Sequence, residues 1–209
     1  MPLCRNSRRH STLATAFTVK KIITQFAGIP HDIPLLRRQL QSFFPEAQYK
    51  ECKDTLAHTW LTSSGEQELV IEFGLAREFM FSLANTKSDP FTAIVGALSE
   101  LQPDEIGVFQ VLWQPVQENW HESIINSVTS ADGKPFFVNQ PELTSAAETK
   151  ISKPLFAAVV RIATKAGTFD HATQIACDMA GALRSFSNPQ GNHLIPLKND
   201  DYPFEEHVI

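Results

Sequence analysis

The sequence predicts an α+β fold. The first part reads as a ferredoxin-like unit, a split βαβ antiparallel sheet with its helices on one face, and a second, partial βαβ-like unit follows. Three observations predict it. Residues 15–116 alternate between strand and helix signals in the order strand, helix, strand, strand, helix, strand, which is the split βαβ order. Two stretches in that span repeat apolar residues at helical spacing. Several others alternate apolar and polar residues with the period of a strand. The 209 residues are 43% hydrophobic and 20% charged, which suits a packed globular chain and excludes a wholly disordered one or a coiled rod. No apolar run approaches the roughly 20 residues that span a bilayer.

Thr15–Phe26, rich in Phe, Val, Ile and Thr, reads as the first strand. In the following helix Asp32 can cap and Pro34 falls in the first turn. Ile33, Leu36, Leu40, Phe43 and Phe44 then recur at helical spacing until Pro45 stops it. Ala47–Lys53 is a second strand around Tyr49. Ser63 to Glu66 reads as a turn, and Gln67–Leu75 as a strand with Leu69, Ile71 and Phe73 on one face. Asp89-Pro90 starts a helix whose face is Phe91, Ile94, Val95, Leu98 and Leu101. Glu105–Val116 is a long strand with Phe109, Val111 and Trp113 on one face and Ile106, Val108, Gln110, Leu112 and Gln114 on the other.

Beyond residue 116 the pattern is less regular. Trp120–Val128 and Pro141–Lys150 read as helices, with a turn at Asp132-Gly133 between them. Lys153–Ala163 is a strand with Phe156, Ala158, Val160 and Ile162 on one face. Asp170 can cap a last helix through Ala172, Ile175, Met179, Leu183 and Phe186, and Leu194–Leu197 is a brief strand. The expected organisation is a disordered basic N-terminus at 1–14, the ferredoxin-like unit at 15–116, a second α/β unit packed on it at 117–198, and an acidic tail at 199–209.

The net charge of -5 is unevenly placed. Residues 1–31 hold Arg5, Arg8, Arg9, Lys20 and Lys21 and no acidic residue, the composition of a mitochondrial-type presequence or a phosphate-binding arm. The plainer reading is a frayed terminus with Lys20 and Lys21 on the exposed side of a strand. The acidic remainder argues against general nucleic-acid binding, which needs clustered Lys and Arg. Cys4, Cys52 and Cys177 are isolated and form no C-x-x-C pair, which gives no support to a zinc ribbon and fits a reducing cytoplasm.

The chemistry-bearing motifs are mostly missing. Gly133-Lys134 is followed by Pro135 and lacks the upstream glycine of a phosphate loop. G-x-G-x-x-G and G-x-S-x-G are absent, and no second histidine follows His121-Glu122 one turn later. No catalytic residue, cofactor or metal ligand is expected. Cys177 could be a nucleophile, but a small core cysteine suits its helix better. His31-Asp32 could be a base and its orienter, but both stand where a helix cap is wanted. His171 is expected to face water. The expected interaction surface consists of Trp113, Gln114, Trp120 and Arg161. Two tryptophans around a turn can form an aromatic contact patch, although Trp113 in the core with Trp120 as its lid accounts for them more simply. Arg161 stands opposite an apolar set, either on a solvated face or paired with a carboxylate or partner.

The stretch E-F-G-L-A-R-E-F-M from Glu72, then D-P-F-T-A-I-V-G-A-L-S-E-L-Q-P-D-E-I-G-V-F-Q-V-L-W-Q-P-V, K-P-L-F-A-A-V-V-R-I-A-T and G-A-L-R-S-F-S-N-P-Q-G-N-H-L-I-P-L, resembles the region upstream of the motor domain in bacterial type IV secretion and conjugation-type ATPases of the HerA/FtsK kind. The resemblance runs from about Leu13 onward. It implies a non-catalytic accessory role beside a DNA-translocating motor, in the cytoplasm or at a membrane through a partner. The Walker A and Walker B residues of that family lie beyond the matching region, so no catalytic residue carries over. The implied partners are the motor domain of the same or a neighbouring chain, the secretion apparatus, or a second copy. The alternatives are a small enzyme using Cys177 or a histidine, and a nucleic-acid-binding ferredoxin-like module.

Overall fold

The computed structural model describes residues 11–18, 21–52, 55–85, 90–99, 101–115, 120–130, 132–139 and 141–198. It is an α+β fold built on one six-stranded, fully antiparallel sheet. The strands are β1 (Ser11–Thr18), β2 (Lys21–Ala27), β3 (Gln67–Leu75), β4 (Ile106–Pro115), β5 (Phe156–Ala166) and β6 (Leu194–Pro196). The helices are α1 (Ile33–Phe43), α2 (Thr55–Thr62), α3 (Pro90–Ala97), α4 (Trp120–Val128), α5 (Pro141–Ile151) and α6 (Phe169–Ala182), the last continued by a 3-10 turn at Leu183–Phe186. The sheet order is β2-β1-β4-β5-β3-β6.

Period-two alternation sorts the sheet into two faces. Leu69, Ile71, Phe73, Phe109 and Ile162 meet Ile94 of α3, Leu98 just beyond it, and Ile175 and Met179 of α6. Ala14, Ile106, Val108 and Ala163 meet Leu56 and Trp60 of α2 on the opposite face. A third cluster joins α4 to α5 through Ile124, Val128 and Ala147. Asn192, wholly buried, holds the chain after β3 in place. Its Oδ1 accepts from the Arg77 and His193 amides at 2.9 and 3.0 Å, and its Nδ2 donates to the Arg77 and Glu78 carbonyls at 3.0 and 3.1 Å.

The split βαβ order is not the one formed. The segment expected as a single strand at 15–26 is the β1–β2 hairpin, with Thr18 paired to Lys21. Residues 47–52 form no strand, and 53 lies outside the described residues. This segment is mostly polar, with Tyr49 its main apolar group, and has little to bury in a sheet. The next element is instead α2, which carries Leu56 and Trp60 one turn apart. Helices therefore cover both faces: α3 and α6 take one and α2 the other, while no residue of α1 is buried. β5, from the second expected unit, lies between β4 and β3, so one sheet runs through both 15–116 and 117–198. Residues 11–14, expected in a disordered terminus, belong to β1. Residues 1–10 and the tail at 199–209 lie outside the described residues, as do Cys4 and the expected cap Asp89.

Candidate partner-binding surface

β4 and β5 pair over ten residues, from Ile106↔Lys165 to Pro115↔Phe156. The helical layers use only part of this ribbon. Ile106, Val108, Phe109, Ile162 and Ala163 are buried, and Val111 and Val160 pack against the α6-side cluster. None of Leu112–Pro115 or Phe156–Val159 belongs to a hydrophobic cluster among the described residues. Phe156 is 50% exposed and Val159 is 40% exposed. Leu112, Trp113 and Gln114 are half-buried. β3 stays in register with β5 only as far as Phe73↔Val160, and its next residues pair with β6.

Between the α2-covered region and this bare end lies a polar band. Glu72, Arg161 and Gln110 stand side by side on β3, β5 and β4, in register across the sheet. Arg161 Nε donates to Glu72 Oε1 at 2.9 Å, a second guanidinium nitrogen donates to the same oxygen, and Nη1 donates to Gln110 Oε1 at 3.3 Å. The side chains of Arg161 and Glu72 keep only 13% and 17% of their exposure. Of the two readings open for Arg161, the carboxylate pair is the one formed.

The four expected contact residues do not form one patch. Trp113 and Gln114 are neighbours on β4 and so point to opposite faces, with Gln114 on the Arg161 side. Trp120 begins α4, and its ring packs on Phe79 at 6.0 Å between centroids. Among the described residues no ring contact joins Trp120 to Trp113.

The nucleophile candidates are equally dispersed. Cys177 is exposed, contrary to its expected place in the core, because α6 buries Ala172, Ile175, Ala176, Met179 and Ala182 and position 177 falls off that stripe. No histidine bonds to it among the described residues. His171 Nδ1 lies 2.5 Å from Glu105 Oε1, and Glu105 Oε2 accepts from the Gln102 amide at 2.7 Å. This pair borders a cleft between α3 and α6 lined by Gly96, Gln102, Gln174 and Asp178. Sequence reasoning placed His171 in water and missed Glu105, whose partner lies 66 residues away. The cap of α6 is Thr168, which accepts from the His171 amide, and not Asp170. His31 and Asp32 are exposed, and Asp32 holds the cap position of α1 without a side-chain cap bond.

No group of three or more metal-ligating side chains occurs among the described residues, and no helix there is long and apolar enough to cross a membrane. No family model, no curated protein and no solved structure matches the chain.

Proposed function

We propose that this chain is a non-catalytic, partner-contacting module, the role implied by its resemblance to the region upstream of a conjugation-type motor. The observation that carries this reading is the bare end of the β4–β5 ribbon. A strand pair that runs four rungs past its helical cover presents apolar side chains to water on both faces. Such patches mark interaction sites on soluble proteins. The composition suits a contact: Trp113 and Phe156 supply aromatic area, Leu112 and Val159 aliphatic area, and Gln114 a rim hydrogen bond. The pre-paired Arg161 and Glu72 stiffen the sheet beside it.

The partner proposed is the motor domain encoded by the same or a neighbouring gene. The test uses the full chain and that domain, both purified, with binding followed by calorimetry. Phe156→Asp with Val159→Glu is expected to weaken binding by roughly 10-fold or more, the effect of truncating central contacts. Its circular dichroism should stay unchanged, because both positions are exposed. Absence of binding by the native chain, or equal binding by the double variant, overturns the proposal.

A further inference from the structure

A different element carries a second role. We infer that α1 is an interfacial helix that seats this chain on an anionic phospholipid surface. Among the described α-helices α1 is the most strongly amphipathic, yet none of its residues is fully buried or belongs to a hydrophobic cluster. Ile33, Leu36, Leu40 and Phe43 recur at steps of three and four and make a stripe roughly 100° wide. The first three are half-buried, while Phe43 is 75% exposed and the adjoining Phe44 60%. Arg37 flanks the stripe, and Arg38, Gln41 and Ser42 lie on the far side together with Leu35, which is 53% exposed.

Charge decides the occupant. α1 carries two arginines and no acidic residue. Residues 1–44 hold seven basic side chains against one acidic, Asp32, whereas the remainder holds twice as many acidic as basic ones. A strong amphipathic moment, low overall hydropathy, Arg on the polar side and exposed Phe on the other are the chemistry of a helix lying in a lipid interface. The phenylalanines enter the acyl boundary while the arginine stems reach back to the phosphates. An anionic surface attracts this end of the sequence and repels the acidic remainder, so α1 faces the lipid. Eleven residues, about 16 Å of helix, lie on a bilayer and do not cross it.

The inference rests on α1 alone and not on the β4–β5 end. The test is co-sedimentation of the full chain with vesicles of phosphatidylcholine, either pure or with about 30% phosphatidylglycerol. Pelleting is expected with the anionic vesicles at about 50 mM salt, with loss at about 500 mM, where screening is nearly complete over a few ångströms. Phe43→Ser with Phe44→Ser should weaken binding by roughly 10-fold, and Arg37→Glu with Arg38→Glu should abolish it. Both variants alter exposed positions, and circular dichroism checks that they fold. Three results overturn the inference: no pelleting with anionic vesicles, equal pelleting with pure phosphatidylcholine, or double variants that bind like the native chain.

Discussion

Arg161 sits in mid-strand among apolar residues and is stable there because its neighbours on both flanking strands are polar and in register. Glu72 takes two of its donors and Gln110 a third. Glu72→Ala removes the countercharge and leaves the guanidinium, among the described residues, with Gln110. Breaking a fully buried pair costs about 3–5 kcal/mol, and the residual exposure here brings the expectation to about 2–4 kcal/mol. Replacing both partners, Glu72→Leu with Arg161→Met, removes the desolvation cost with the attraction and should stay within about 1 kcal/mol of the native protein. Urea midpoints of the three proteins check this, and a double variant weaker than the single one would refute it. The alternation of β5 shows in the sequence that Arg161 lies off the apolar face. Its partner was not legible, because Glu72 is 89 residues away.

At the scale of elements, the segment 91–101, which begins in α3, against β4 is the contact whose two halves were both readable. Ile94, Leu98 and Leu101 are buried, but α3 ends at Ala97, short of the helix through Leu101 that the spacing predicts, and Val95 remains exposed. The sequence did not show how closely the helix approaches. A Cβ at Gly107 would stand 2.6 Å from Leu98 Cδ2 and 3.2 Å from Met179 Sδ. Leu98→Ala should cost about 2–5 kcal/mol as a core truncation. Gly107→Ala should cost about 1–3 kcal/mol by overpacking. Because the two side chains compete for one space, the double variant should be more stable than the sum of the single effects by about 0.5 kcal/mol or more. Thermal or chemical denaturation of the full cycle reads this coupling, and strict additivity would place Leu98 elsewhere. Other elements were hidden for local reasons. Between Thr18 and Lys21 the sequence reads Val-Lys, without the Gly, Asn or Asp that marks a tight hairpin, so the β1–β2 pairing carries no local signal. Helix α2 is short and shows only Leu56 and Trp60 as its inward pair.

At the scale of the whole molecule, the placement of β5 governs the fold. It pairs with β4 along ten residues and with β3 along seven, and it supplies Ile162 to one hydrophobic cluster and Ala163 to another. Without it β3 and β4 have no partner on their facing edges, and bare edges of that length pair wrongly or aggregate. A chain ending at residue 152 is therefore expected to lack cooperative unfolding and native sheet content, followed by circular dichroism and amide exchange. A folded, cooperative 1–152 would show that the first unit closes its sheet in another way. This strand also makes the contacts long-range, because β3 must wait for residues 87 to 99 positions later in the chain.

The sequence by itself determined the α+β class, the face assignment of β3, β4 and β5, and the buried stripe of α6. These are local properties, set by whether apolar residues recur every two positions or every three to four. It also placed Leu112, Trp113, Gln114 and Phe156 on strands and showed α1 to be amphipathic. Only the tertiary structure decided that β5 enters between β4 and β3 and that helices cover both faces of the sheet. It alone set Arg161 against Glu72, and it alone left α1 and the end of the β4–β5 ribbon outside the hydrophobic clusters. Periodicity says that a face is apolar, and strand order and packing say what lies against it. Those depend on residues far apart in sequence, so no local pattern records them.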